Sequence, residues 1–211
     1  FLNYAATHPD AVIRYTASDM ILKLHSDASY LSEPEARSRV GGFHYLGNNQ
    51  PIIAGDPPEP PNGAILVVSN IMKMVVASAA EAKLGALFFN GQEATTLRTT
   101  LLELGHPQPA TPMQTDNVTA AGIANDTVKQ RCSKAVDMRF YWIRDRVRQG
   151  QFLIHWKPGT DNYADYFTKH HPPSHHRSIR SQYIRDRNNR PSTATRKNRT
   201  QPRVRFVVRV C

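Results

Sequence analysis

Three short apolar runs within the first seventy residues constrain this chain more than any other feature. Ile21, Leu22 and Leu24 lead into His25-Ser26-Asp27-Ala28-Ser29-Tyr30, so that a strand spans about Met20 to Tyr30. Arg39 to Leu46 follows a Ser/Pro/Glu turn at Leu31 to Ala36. Ala64-Ile65-Leu66-Val67-Val68 resumes after Asn48 to Asn62, a stretch with five prolines. Runs of this length bounded by turn residues read as strands, and three in succession read as an antiparallel meander. Gly41-Gly42 inside the second run marks a bulge or a close backbone approach.

From Ser78 the composition switches to Ala, Glu, Leu and Lys, and Ala82, Leu84, Leu87, Phe88 and Phe89 give a helical pattern toward Leu104, stopped by Gly105-His106-Pro107. Met113 to Asp116 then reads as a strand and Asn117 to Asn125 as a helix. Val136, Phe140, Ile143 and Val147 form the apolar stripe of a helix from about Ser133 to Gln149. Phe152 to Trp156 is a last strand, and Asp161 to Lys169 is expected to be a short final helix. The order implies an α/β fold: a mixed five-stranded sheet, the three-strand meander plus two parallel strands, flanked by helices.

The formal charge of +10 suggests a nucleic-acid partner, but it is unevenly placed. Residues 172–211 hold ten Arg, Lys197 and a single acid, Asp186, whereas residues 1–171 hold 16 basic and 16 acidic residues. The net charge is therefore that of a tail rich in Arg, Ser, Thr, Asn and Pro, a composition that reads as mostly disordered, with a short helix possible around Ser174 to Arg185. Cys132 and Cys211 are too few and too far apart for a disulfide framework or a clustered zinc site, which favours a reducing, intracellular setting. Neither an apolar run of membrane-spanning length nor a signal peptide is present, so a membrane partner is not expected. The opening on Phe1 rather than Met suggests a piece of something longer.

Four acids stand at strand or helix ends where they could converge: Asp27, Glu81, Asp116 and Asp165. A set of carboxylates can hold hard divalent cations for phosphodiester hydrolysis, one ion activating water and a second stabilising the leaving oxygen. Each also has a local alternative. Ser78-Ala79-Ala80-Glu81 fits a capping box, Asp116 suits the cap of the next helix, Asp27 could close a turn with Ser29, and Asp161 or Asp165 suits a helix N-terminus.

The blocks Ser26-Asp27-Ala28-Ser29-Tyr30, Ser78-Ala79-Ala80-Glu81-Ala82-Lys83, Thr115-Asp116-Asn117 and Asn162-Tyr163-Ala164-Asp165-Tyr166-Phe167-Thr168-Lys169, in that order, resemble the ribonuclease H domain at the end of Ty1/copia-type retrotransposon polyproteins. The segment from Lys134 to Arg144 resembles that family's helix before its fifth strand. The resemblance implies a ribonuclease H-like fold over residues 20–171, hydrolysis of the RNA strand of RNA/DNA hybrids during reverse transcription, and two Mg²⁺ or Mn²⁺ ions. It implies that Asp27 bridges both ions, that Glu81 and Asp116 hold the one activating water, and that Asp165 helps hold the one at the leaving group. Residues 1–19 would end a reverse-transcriptase connection, that domain of the same polyprotein being a partner, and 172–211 would be the basic tail. Integrases share the superfold, but the Asp-Glu-Asp-Asp order favours ribonuclease H over a triad ending in Glu.

Two positions depart from the family pattern, which often has Glu where Lys83 stands and His where Ala135 stands. Ser29, Gln114 and Asn117, polar and close to the carboxylates, are the candidate readers of a hybrid's minor groove. Lys134, Arg139, Arg144, Arg146 and Arg148 either track phosphates or form an ordinary solvated helix face. The competing function is a catalytically inactive relic that binds nucleic acid.

Overall fold

The computed structural model describes residues 2–52, 60–128 and 138–186. The elements run α1 (Leu2–Thr7), β1 (Ala11–Val12), β2 (Ile21–Glu33), β3 (Arg37–Gly47), β4 (Ala64–Ile71), α2 (Ala79–Glu103), β5 (Thr111–Thr115), α3 (Val118–Ala124), α4 (Met138–Arg148), β6 (Phe152–Trp156), α5 (Pro173–Tyr183) and β7 (Arg185–Asp186). Five strands form one sheet in the order β4-β3-β2-β5-β6, with β4, β3 and β2 antiparallel and β5 and β6 parallel to β2. This is the expected mixed sheet. The start of the helix expected from Ser133, with Lys134 and Ala135, lies outside the described residues, as do residues 53–59 of the Pro-rich loop and 187–211 of the tail.

Side chains alternate across a strand. On β2, Leu22, Leu24, Ser26 and Ala28 face α2, while Lys23, His25 and Ser29 face the other way, and Asp27, on that second side, meets Thr168 with one carboxylate oxygen and Lys83 of α2 with the other. Leu22 and Leu24 pack with Leu84, Leu87, Met113, Phe140, Ile143, Phe152 and Ile154 in the main core, and Ala28, Val40, Val68, Met72, Ala82 and Ala86 form a second cluster under the start of α2. Both ends of α2 are capped. The Ser78 hydroxyl accepts from Glu81 N at 3.1 Å. At the other end, Gly105 (φ 85°) lets its own amide reach Leu102 O and the His106 amide reach Leu101 O, a Schellman closure.

The Gly41-Gly42 pair is a double close approach. A Cβ on Gly42 would lie 1.9 Å from Asn90 Oδ1 of α2, and one on Gly41 would lie 2.6 Å from both Ala164 O and Thr168 Cγ2 on the opposite face. Asn90, fully buried, shares its two Nδ2 hydrogens among Ser26 Oγ, Gly41 O and Ala86 O at 2.9–3.0 Å, and its Oδ1 accepts from His44 Nε2 at 3.1 Å. Burial holds the His44 imidazole neutral, its pKa pulled down to about 4.

The final helix expected over Asp161 to Lys169 does not form. Two 3-10 turns, Gly159–Asp161 and Asp165–Thr168, stand in its place. The cause is attachment to β2: Asn162 Nδ2 donates to Ser26 O, Tyr163 N donates to His25 Nδ1, and Ala164 N donates to Asn162 Oδ1, each at 3.0 Å. The Tyr163 and Ala164 amides are thereby diverted from a continuous helical ladder. The helix considered near Ser174 does form, as α5, and Tyr183 at its end packs among Phe43, Tyr163, Tyr166 and Phe167. β1 and β7 then pair, joining Ala11 to Asp186 and Val12 to Arg185.

Candidate active site

Parallel pairing sets Leu24 beside Met113 and His25 beside Gln114, and continuing that register brings Asp27 level with Asp116, just past the end of β5. Asp27 is 1% exposed. Thr168 Oγ1 lies 2.8 Å from its Oδ2 and equally close to Asp165 O, so one hydroxyl proton serves the carboxylate and the turn. The group between the two acids is Lys83. Its ammonium pairs with Asp27 Oδ1 and stands 2.7 and 2.9 Å from the two oxygens of Asp116.

The electrostatics follow from that clasp. Burial pushes the Asp27 carboxyl above its usual range, while Lys83 and the Thr168 hydroxyl pull it back. Burial works against the Lys83 charge, but the adjoining Asp27 and Asp116 more than offset it and raise its pKa. The cation built into the wall opposes the burial that disfavours the Asp27 charge.

Glu81 and Asp165 do not join this pair through their carboxylates. Glu81 Oε2 accepts from Ala77 N at 2.7 Å, which with the Ser78 cap gives the capping-box arrangement shifted by one amide. Asp165 pairs with Lys169 one helical turn on. Helix geometry explains the first: residues two apart point to different sides, so of Glu81 and Lys83 only one can face β2. Among the described residues no group of three or more His, Cys, Asp or Glu is placed to hold a metal ion. Divalent Mg²⁺ and Mn²⁺ need several oxygen ligands, and the two acids that converge already share an ammonium. The residues as arranged do not fit a two-ion centre.

The three candidate readers have internal partners. Asn117 Oδ1 accepts from Ala120 N at 2.8 Å, so Asn117, not Asp116, caps α3. Gln114 Nε2 donates to Asp161 O at 2.9 Å, and Ser29 bonds the Ser32 hydroxyl. Gln114 lies in a row with His25 and His155 on neighbouring strands, flooring a cavity of about 530 Å³ that Lys23 and Lys157 also line. Burial holds both imidazoles neutral, His25 at about 3 and His155 at about 4. On α4, Arg144 pairs with Asp126 at 3.1 Å and donates to Ile123 O, Arg148 also pairs with Asp126, and the Arg146 guanidinium lies 5.1 Å from the Trp142 ring centre. These arginines tie α4 to α3 or lie along the helix. Sequence reasoning treated Lys83 as a departure and did not single out Thr168 or Asn162. The legible signal was the two-residue offset from Glu81.

A sheet of this order with helices on its faces is a ribonuclease H-like fold. A solved ribonuclease H1 isolated from compost by a metagenomic approach superposes with a TM-score of 0.51 at 11% identity, over 70% of this chain and 92% of that one. The N-terminal RNase H domain of rv2228c from Mycobacterium tuberculosis gives 0.48 at 12% identity, over 71% of this chain and 91% of that one. No protein-family profile matches the chain. In sequence, the chain is similar to the retrovirus-related Pol polyprotein from transposon TNT 1-94 of Nicotiana tabacum, 27% identical over 155 residues. That match takes in 74% of this chain and spans 11% of the polyprotein, and it bears out the retrotransposon resemblance. No helix among the described residues is long and apolar enough to cross a membrane.

Proposed function

We propose that this chain is the ribonuclease H module of a retrotransposon Pol polyprotein, and that it engages RNA/DNA hybrids to hydrolyse the RNA strand. Residues 20–171 are the hydrolytic domain in this reading, and residues 1–19 end the reverse-transcriptase region beside which it works. The observation that carries the proposal is the meeting of Asp27, midway along β2, with Asp116, just past the end of the adjacent parallel strand β5, in a ribonuclease H-like sheet. Hydrolysis of a phosphodiester requires a water to lose a proton as its oxygen bonds to phosphorus, and the departing ribose oxygen to gain one. Asp116, about 20% exposed in its side chain, is the member of the pair that solvent reaches. Asp165, on the turn that the Thr168 hydroxyl ties to Asp27, contributes in this reading once released from Lys169.

A second reading, hybrid binding without cleavage, is favoured by the Lys83 ammonium standing on both acids. One experiment separates them: labelled RNA/DNA hybrid and duplex DNA of the same sequence are titrated with the wild type and with Asp116→Asn, and strand cleavage is followed in Mg²⁺. Preferential hybrid binding with cleavage lost in the variant supports hydrolysis. Hybrid preference without cleavage by either protein selects the second reading, and absence of hybrid preference overturns both.

A further inference from the structure

We infer that Lys83 is the resident cation of the Asp27–Asp116 centre, that its ammonium keeps divalent ions out, and that residue 83 alone decides whether the centre is a metal site. The proposed function supplies the nucleic-acid ligand, but the metal behaviour does not depend on it.

Three of the four carboxylate oxygens have a hydrogen-bond donor: Lys83 serves Asp27 Oδ1 and Asp116 Oδ2, and Thr168 serves Asp27 Oδ2, while Asp116 Oδ1, buried and without a hydrogen-bond donor, lies 2.7 Å from the Lys83 ammonium as an ion-pair contact. The Lys83 side chain is 15% exposed, so it lies in the wall rather than sweeping through solvent. Its backbone is fixed, because it sits in the first turns of a capped helix, between Ala82 and Leu84, which are 0% and 1% exposed. A divalent ion entering between the acids would meet a positive charge at contact distance and would have to take its oxygens from that charge. The ammonium and the ion therefore exclude one another.

On α2, position 83 is also where a further carboxylate would have to come from. Glu81, on another side of the helix, is engaged at Ala77. Replacing Lys83 by Glu exchanges one positive for one negative charge at a point already faced by two carboxylates, which changes the sign of what the centre attracts. Replacing it by Met keeps the length and removes only the charge.

The test uses the full chain stripped with chelator and titrated with Mn²⁺ alone, read by calorimetry and by the electron paramagnetic resonance of free Mn²⁺, with thermal unfolding in parallel. The wild type is expected to show no saturable binding at millimolar Mn²⁺. K83E should bind at least about a hundredfold more tightly, since two unit-charge changes act on a divalent ion a few ångströms away. K83M should gain intermediate affinity, and Mn²⁺ should raise the unfolding temperature of both variants but not of the wild type. Arg148→Met, which removes a positive charge from α4, should behave as the wild type. The inference is overturned if the wild type binds Mn²⁺ within threefold of K83E, or if Mn²⁺ stabilises neither variant. Should hybrid binding fail while this metal pattern holds, the proposed function falls and the inference about Lys83 stands.

Discussion

Removing the Lys83 charge and removing the Asp27 charge should have very different effects on stability, although both break the same pair. Lys83→Met leaves the Asp27 carboxylate, 1% exposed, with Thr168 as its remaining hydrogen-bond donor. Breaking a buried pair from one side and stranding the other charge costs about 3–5 kcal/mol, and the 15% exposure of Lys83 argues for the lower end. Asp27→Asn removes the charge that burial disfavours, keeps an oxygen for Thr168, and leaves Lys83 on Asp116, 20% exposed. That variant should lie within about 1 kcal/mol of the wild type in either direction. The direction of the Asp27 shift agrees. A carboxyl whose folded pKa is raised binds more protons when folded, so its contribution is most favourable at low pH and is lost as pH rises from the unfolded value of 3.8 through the folded one. The double variant should recover most of what Lys83→Met loses, a coupling of about 2–4 kcal/mol. Urea unfolding of the four proteins at neutral pH with chelator present measures the cycle. A Lys83→Met cost below about 1 kcal/mol, or an Asp27→Asn cost larger than that of Lys83→Met, would refute the reasoning.

Three further outcomes test the scaffold. His44 is neutral in the fold with a pKa of about 4 against 6.5 unfolded, so its contribution is complete above 6.5 and is lost as pH falls through about 4, a total of about 3 kcal/mol; urea unfolding across that range should show a slope that His44→Gln reduces, and an unchanged slope would remove His44 as its source. Gly42→Ala would drive its Cβ against Asn90 Oδ1 and should cost at least about 2 kcal/mol in thermal unfolding, so a variant as stable as the wild type would contradict the close approach. Tyr183→Ala should cost about 2 kcal/mol by removing the ring that Phe43, Phe167, Tyr163 and Tyr166 surround, whereas no change would show that α5 is not anchored there.

The sheet was legible because its strands announce themselves by short apolar runs between turn residues, and its order by the switch from consecutive strands to alternation with helices. Asp27 and Asp116 were legible for the same reason, since the strands that carry them up to one level could be read from those runs. What escaped was decided at longer range. Pro158-Gly159 followed by Asp161 to Lys169 has a local composition compatible with a helix, yet Asn162 and Tyr163 hydrogen-bond to Ser26 and His25, well over a hundred residues earlier, and the helix gives way to two turns. Asp116 and Asn117 are both good caps, and only the strand register fixes which one remains in line with Asp27. The candidate quartet took Glu81 because it is acidic, whereas the phase of α2 turns residue 83 toward β2. Ala82, 0% exposed and between the two, is the residue whose burial fixes that phase.

The β1–β7 ribbon has a mechanical consequence. It joins Ala11–Val12 to Arg185–Asp186, and Arg180 braces it by bonding both Tyr4 and Asp186, so the path of the chain into the fold and its path out lie side by side. Tension applied along the chain from both sides would fall first on this two-residue zipper, whose bonds can break in succession, before it reached the longer ladder between β2 and β3. The zipper therefore acts as a fuse: it gives way under load, and the strands that carry Asp27 and Asp116 keep their register.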